Sequence, residues 1–148
     1  MDVDELTRHI TDTFAGVRVA ENSGDLFFLY DPDGDLPPQR QLPFVTIVTG
    51  DHYDTASELD RDGAYRINIG LTRARYAELI AESTVDSYTA RDTLLPHPEY
   101  AGQHWVCVVN PGERTADTVR ELVADAYEFA RRKHNNRSHH TTGMRHNP

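Results

Sequence analysis

The sequence predicts an α+β protein with one antiparallel sheet of about 5–6 strands and helices packed on one face of that sheet. Amphipathic helical patterns stand at both ends of the chain, and short runs of β-favouring residues lie between them. Gly, Pro and Asn turns separate these runs. The predicted order is therefore α-β(3-4)-α-β(1-2)-α.

The first elements follow from periodicity. Over residues 3–14 apolar residues recur every four positions and acidic residues crowd the amino-terminal end, which predicts a helix. The runs 17–19 and 26–30 flank the turn-like segment 22–25, a pattern typical of a β-hairpin. Residues 44–49 then supply a third strand.

The middle of the chain combines a polar segment with a clear strand. Residues 50–63 are polar and acidic and are interpreted as a surface excursion. The strand 65–69 alternates strictly, which places Tyr65, Ile67 and Ile69 on one face and Arg66 and Asn68 on the other. A helix is predicted to start at Thr72 and to end near Glu82-Ser83.

Residues 84–102 are predicted to be irregular, since prolines interrupt any helix there. Residues 105–109 form a dense β run that stops at an Asn-Pro-Gly sequence. The last helix is predicted from Ala116 to about Arg132, with Thr118 and Glu121 as a capping box.

Two segments differ in composition. Residues 1–133 are predicted to form a single α+β domain, and residues 134–148 a disordered, basic, His-rich tail with His134, His139, His140 and His146. Because residues 131–148 contain five basic residues and no acid, the remaining 1–130 hold 10 basic against 24 acidic groups, a net charge of -14. Such a body repels phosphate backbones, which disfavours nucleic acid as a partner.

Motifs for the common catalytic and metal-binding chemistries are absent from the sequence. There is no Gly-x-Ser-x-Gly turn and no glycine-rich phosphate loop, and the single Cys107 is interpreted as a buried structural residue. The aspartates of 31–35 do not have calcium-loop spacing, and His97, His104 and Cys107 match no zinc pattern. The expectation is a non-enzymatic protein without metal or cofactor. The acidic amino terminus and the lack of a long apolar run favour a cytoplasmic protein without a membrane segment.

The most distinctive stretch is 94–105, a long loop with aromatic and imidazole groups that leads into a strand. Binding residues often lie on loops held by a rigid scaffold. The candidate ligand- or partner-binding residues are therefore His97, Tyr100, His104 and Trp105. The alternative interpretation is structural, since a Trp at a strand start often belongs to the core.

Several segments resemble a bacterial family of domains of unknown function. The resemblance lies in Phe27-Phe28-Leu29-Tyr30-Asp31-Pro32-Asp33-Gly34, Leu42-Pro43-Phe44, Leu95-Pro96-His97-Pro98-x-Tyr100 and Trp105-Val106-Cys107-Val108-x-Asn110-Pro111. More distantly, the Pro-x-x-Tyr loop before a His-Trp strand is similar to MmcQ/YjbR-like proteins. That resemblance implies a frataxin-like or secretion-chaperone-like α+β fold and a double-wing DNA-binding role, without catalytic residues.

The functional prediction is a small cytoplasmic module, monomeric or homodimeric, that binds a small molecule or a protein through the loop 95–104 and the adjoining sheet face. Two alternatives stay open. One is double-wing DNA binding, which the acidic body disfavours. The other is a small enzyme that uses an Asp or Glu with His97 or His104.

Overall fold

Helices and strands follow each other in the predicted order. The computed structural model describes residues 1–80 and 85–145, with side chains through residue 137. Within this part of the chain the helices are α1 (Val3–Thr13), α2 (Arg73–Ile80) and α3 (Ala116–Arg145). The strands are β1 (Val17–Asn22), β2 (Asp25–Tyr30), β3 (Val45–Val48), β4 (Arg66–Gly70), β5 (Leu94–Pro96) and β6 (Trp105–Val109). Short 3-10 helices lie at Pro38–Arg40 and Ala101–Gln103.

The strands form one open sheet in the order β1-β2-β3-β4-β6-β5, and every neighbouring pair is antiparallel. Strands β1 to β4 make a meander, and β6 then pairs with β4 while β5 takes the outer edge. The α+β fold with a single antiparallel sheet is therefore confirmed. In the described residues no helix is both long and apolar enough to cross a membrane.

One face of the sheet packs against the helices and is apolar. Phe28, Val45, Ile69 and Val106 lie in one cross-strand row on this face, and all four are fully buried. Helices α1 and α3 cover the row with the buried residues Leu6, Ile10, Val119, Leu122, Val123 and Ala126. Partly buried side chains of α2 add to this layer. The helix-covered face is thus the hydrophobic core that the alternation of β4 predicts.

The start of α3 corrects the capping-box prediction. The helix begins at Ala116, so Thr118 already lies inside its first turn. The carboxylate of Asp92 accepts the backbone N–H groups of Gly112, Arg114 and Thr115 at 2.8–2.9 Å, together with the Thr115 hydroxyl. A residue 20 or more positions away in sequence therefore satisfies the free amides before the helix, which a local capping pattern does not reveal.

The end of α3 also differs from the prediction. The helical backbone continues past Arg132 to Arg145, where the sequence predicts an irregular tail from His134 onward. Residues 133–142 contain neither Pro nor Gly, so no helix-breaking residue interrupts this stretch. Residues 146–148 lie outside the described part of the chain, and the domain boundary at residue 133 stays a prediction.

The acidic segment 50–63 is not a solvated excursion. Its Ser57 and Leu59 are 1% and 2% exposed, and Leu59 packs with Val48, Ala64 and Val109 in a second, smaller apolar cluster. The segment therefore covers the sheet face opposite the helices. The sequence of the segment does not reveal this role, because its buried positions are few and not periodic.

The segment predicted as irregular contains a short strand and the start of a short 3-10 helix. Strand β5 pairs Leu95 with Cys107, at the edge of the sheet. A proline at the end of an edge strand leaves no central hydrogen bond unmade, which explains why β5 tolerates Pro96. The predicted end of α2 near Glu82-Ser83 lies outside the described residues.

Candidate functional site

The candidate site lies on the sheet face opposite the helices. One cross-strand row on this face runs through five strands and mixes polar and apolar side chains: Phe27, Thr46, Asn68, Cys107 and Leu95. The neighbouring row pairs Val48, Arg66 and Val109. Because strand residues alternate between faces, the polar residues of β4 are directed away from the helices.

A buried ion pair forms the centre of this face. The guanidinium of Arg66, a residue only 1% exposed, donates two parallel hydrogen bonds to the Asp54 carboxylate, Nη1 to Oδ1 at 3.0 Å and Nη2 to Oδ2 at 2.7 Å. Nη1 also donates to the Ser57 hydroxyl at 3.0 Å. The hydrogen bonds from Arg66 hold the pKa of Asp54 below its usual value. Asp54 of the covering segment 50–63 therefore neutralises the buried cation, and Ser57 of the same segment accepts a further hydrogen bond from it.

Hydrogen bonds through Asn68 extend from this ion pair across the sheet. Arg66 Nε donates to Asn68 Oδ1 at 2.9 Å, and Asn68 Nδ2 donates to Thr46 Oγ1 at 2.9 Å. The network thus joins the covering segment to β4 and β3. Buried polar groups that are fully hydrogen-bonded fix one arrangement of their surroundings, since any other arrangement leaves a donor or acceptor unpaired.

His97 lies beside this network and is held in one orientation. Its backbone N–H donates to the carbonyl of Trp105 at 3.0 Å, and its Nδ1 accepts the backbone N–H groups of Glu99 and Tyr100, each at 3.0 Å. Since Nδ1 is an acceptor twice, the neutral ring has its proton on Nε2. Burial, and then the nearby Arg66 charge, lower the pKa of His97 to about 4, so the ring is neutral near pH 7.

Trp105 lies over the sheet at Gly70. The two residues are directly opposed in the β4–β6 pairing, and a Cβ built on Gly70 would approach the indole ring to 2.8 Å. Any side chain at position 70 would collide with the indole ring, so this position requires glycine. The indole therefore packs closely against β4 at Gly70.

These groups line a half-open cavity of about 370 Å³. Its polar base is Thr46, Asp54, Arg66, Asn68 and His97, and its aromatic wall is Phe27, Tyr53, Tyr100 and Trp105. Leu42, Tyr53 and Tyr100 are 68%, 54% and 52% exposed, and they are the exposed large hydrophobic residues of the described chain. All three line this one cavity. Exposed apolar surface is thus concentrated where the polar network opens to solvent.

The structure brings three of the four predicted residues together. His97, Tyr100 and Trp105 line the cavity, and the His97 and Tyr100 rings are 4.9 Å apart. His104 is not among the lining residues: its ring contacts Tyr76 of α2, with centroids 5.7 Å apart. His104 ends the short 3-10 helix before β6 and has a left-handed backbone, with φ of 70°, and its side chain lies against α2 instead of the cavity.

Sequence reasoning did not identify Arg66, Asp54, Asn68 and Thr46 as site residues. One available signal was the placement of Arg66 and Asn68 on the face of β4 opposite its apolar residues. In an antiparallel sheet, however, polar residues on one face are equally typical of a face exposed to water. The signal identifies a buried network only once segment 50–63 is known to cover this face, which the contacts of Asp54 and Ser57 with Arg66 show.

Cys107 lies opposite Asn68 in the β4–β6 pairing. Cys107 is fully buried, as predicted, and burial raises the pKa of its thiol to about 12, so it is a protonated thiol near pH 7. Among the described residues no group of three or more His, Cys, Asp or Glu side chains is placed to hold a metal ion.

A second cavity of about 400 Å³ lies between α3 and the segment 30–44. Its charged residues are Asp33, Asp35, Arg40, Lys133 and Arg137, and each of them is exposed. It shares Leu42 and Pro43 with the first cavity. Exposed charges of both signs are typical of a solvated surface, so we assign the candidate site to the cavity over β4.

Comparison with curated proteins gives no match to this chain. A family model, in contrast, spans nearly all of it, including every residue of the cavity over β4. The chain belongs to DUF6194, a family of unknown function whose model matches residues 1–139.

Proposed function

We propose that this protein is a non-enzymatic binding module that takes a small, predominantly apolar molecule into the cavity over β4. The observation that supports this most directly is the gathering of Leu42, Tyr53 and Tyr100 around one concave surface. Ligand cavities are concave, largely apolar, and contain a few placed polar groups, with volumes of about 300–1,000 Å³. The cavity has each of these properties, at about 370 Å³.

Binding is favoured over proton-transfer catalysis by the state of the polar groups. Asp54 is engaged by both terminal nitrogens of Arg66, and His97 Nδ1 accepts two backbone amides. A general base needs a free lone pair within reach of a substrate proton. The Nδ1 lone pair of His97 is therefore occupied, and the Asp54 carboxylate, whose pKa is lowered by its hydrogen bonds from Arg66, is a weak base. The proposed enzyme based on His104 loses its support for another reason, since His104 is not part of the cavity.

A double-wing DNA-binding role, and with it a relationship to MmcQ/YjbR-like proteins, is disfavoured by the net charge of -14 on residues 1–130. Arg18, Arg66, Arg75, Arg120 and Arg131 each form an ion pair with a carboxylate of this chain. Arginines neutralised in this way contribute little to phosphate binding. The small-molecule proposal therefore takes precedence. It includes a cytoplasmic location and a monomeric or homodimeric state as expectations from the sequence.

The test uses naphthalene as a neutral apolar probe and the indole N–H of Trp105 as the reporter, because Trp105 is the single tryptophan of the chain. We expect a saturable shift of this resonance in two-dimensional NMR spectra of the full-length protein. Replacement of the exposed wall residue by Tyr100→Ala should weaken the affinity by about 3- to 10-fold, since it removes aromatic contact with the probe.

The matched control is His104→Asn, which changes a residue of the same loop outside the cavity. Asn tolerates the left-handed backbone at this position, where φ is 70°. This variant should bind naphthalene as the wild type does. An indole resonance that does not move on titration, or equal affinities of the wild type and Tyr100→Ala, would contradict the proposal.

A further inference from the structure

Most hydrogen-bonding groups at the base of the cavity are already paired with each other. Four N–H groups of Arg66 are donated to Asp54, Ser57 and Asn68, and the Asn68 amide donates to Thr46. Because a guanidinium has five N–H donors, this network leaves little for a ligand to bind. The specificity of the cavity must then come from groups outside the network.

His97 provides such a group. Its Nε2–H has no hydrogen-bond partner among the described residues, although His97 is only 4% exposed and lines the cavity. The only fully buried polar side-chain atom without a partner in this part of the chain is Asp25 Oδ2. The Nε2 atom is therefore not sealed inside the protein, and a molecule in the cavity is positioned to reach it.

Trp105 adds a second donor. Its indole N–H also has no acceptor among the described residues, and the ring lines the same cavity next to Gly70. Both unpaired groups are N–H donors on rigid rings. The backbone N–H and the Nδ1 atom of His97 form three hydrogen bonds that hold the ring in place. Trp105 is held by its contact with Gly70. A donor held in place in this way loses little entropy when it binds an acceptor.

The charge of the site argues for an uncharged acceptor. The Arg66 charge is compensated by Asp54, His97 is neutral near pH 7, and Glu99 adds a carboxylate to the cavity lining. The body of the protein has a net charge of -14. An anionic ligand would meet this negative field without a free cation in the cavity over β4 to balance it.

We propose that the ligand is a neutral compound with an apolar ring body and a carbonyl oxygen that accepts a hydrogen bond from His97 Nε2–H. This inference rests on the proposed function, because it assigns the ligand class of the same cavity. It makes His97 the specificity-determining residue of the site, while the aromatic wall supplies general apolar contact.

The experiment compares naphthalene with 2-acetylnaphthalene, which differs by one ketone group. We expect the wild type to bind the ketone about 3- to 10-fold more tightly, which is the effect of one hydrogen bond. In His97→Asn the side-chain carbonyl still accepts the loop amides near the Nδ1 position but does not reach the Nε2 position. The ratio of the two affinities should fall to about 1 in this variant and stay at the wild-type value in His104→Asn.

A measurement on the wild type keeps the inference testable if His97→Asn does not fold. The Nε2–H resonance of His97 should move downfield with 2-acetylnaphthalene and much less with naphthalene. If both probes bind the wild type equally, the inference is wrong and the proposed function stands. If neither probe binds, the proposed function itself fails.

Discussion

The two faces of the sheet are covered by different elements and by different kinds of side chain. The face against α1 and α3 is covered by apolar side chains alone, with Ile67, Ile69, Val106 and Val108 fully buried. The opposite face is covered by the loop segment 50–63, and its centre is the buried ion pair of Arg66 and Asp54. Adjacent residues of one strand, Arg66 and Ile67, therefore belong to two chemically different interiors.

The difference separates a face that stabilises the fold from the face that carries the proposed site. Apolar packing is non-directional and adapts to neighbouring helices, so it stabilises the fold without defining a site. A polar network is directional and fails if one partner is missing. Because it holds the covering loop and the cavity base in one arrangement, the face with Arg66 is suited to recognition.

The largest expected effect comes from breaking the ion pair. Arg66→Met should lower the free energy of unfolding by about 3–5 kcal/mol, since it leaves the Asp54 carboxylate buried without its partner. Urea denaturation followed by circular dichroism measures this change. On the helix-covered face, Ile67→Val should cost only about 0.5–1.5 kcal/mol.

A double variant sharpens the same comparison. Adding Asp54→Asn to Arg66→Met removes the stranded charge and keeps an oxygen for the Ala56 amide, which Asp54 Oδ1 accepts at 3.2 Å. The double variant should therefore be more stable than Arg66→Met alone. A cost below about 1 kcal/mol for Arg66→Met would show that the pair does not organise this face.

The next effect is a pH dependence that only the polar face can produce. The pKa of His97 is about 4 in the folded protein, against 6.5 for a free histidine. As the pH falls below 6.5, the unfolded chain takes up this proton before the folded protein does, so stability present above pH 6.5 is lost towards pH 4. The expected loss between pH 7 and pH 5 is about 2 kcal/mol.

Unfolding by urea at a series of pH values measures this slope, and His97→Asn is the control that should remove it. The lowered pKa of Asp54 contributes only near and below its usual value of 3.8, outside this window. Equal slopes in the wild type and in His97→Asn would mean that His97 is not protected from protonation in the folded protein.

The smallest effect is expected at the rim of the cavity. Leu42 is 68% exposed, so Leu42→Ser should change the free energy of unfolding by less than about 0.5 kcal/mol. It should still weaken naphthalene binding by about 3-fold, because it removes apolar surface from the cavity wall. Leu59→Ala is the matched comparison: it is 2% exposed, and its truncation should cost about 2–5 kcal/mol. Thermal denaturation and the NMR titration together test both statements, and a destabilisation by Leu42→Ser similar to that of Leu59→Ala would contradict them.

The helix-covered face was predictable because its residues repeat with regular periods. The four-residue spacing of α1 and the alternation of β4 locate Leu6, Ile10, Ile67 and Ile69 in the core, where the structure has them. Each of these patterns is local, and each follows from the geometry of one helix or one strand. For the same reason the strand count and the α+β class are accessible from the sequence.

The site was only partly predictable because it is assembled from distant positions. The loop 95–104 has a distinctive sequence. It contributes His97 and Tyr100 to the cavity, and Trp105 follows directly after it. For Asp54, in contrast, the sequence predicts only an exposed residue of an acidic segment. No local pattern distinguishes it from its neighbours, since its role depends on a pairing with Arg66 across 12 positions.

Local patterns predict the element order, the apolar face and the loop that leads into β6, because periodicity and turn residues act over a few neighbouring positions. Tertiary contacts place segment 50–63 over the second face, Asp92 beside the free amides that precede α3, and His97 rather than His104 at the cavity. The first two of these outcomes depend on polar pairings across 12 and 20 positions. A buried donor finds whichever acceptor the fold brings within about 3 Å, and sequence spacing alone does not encode that distance.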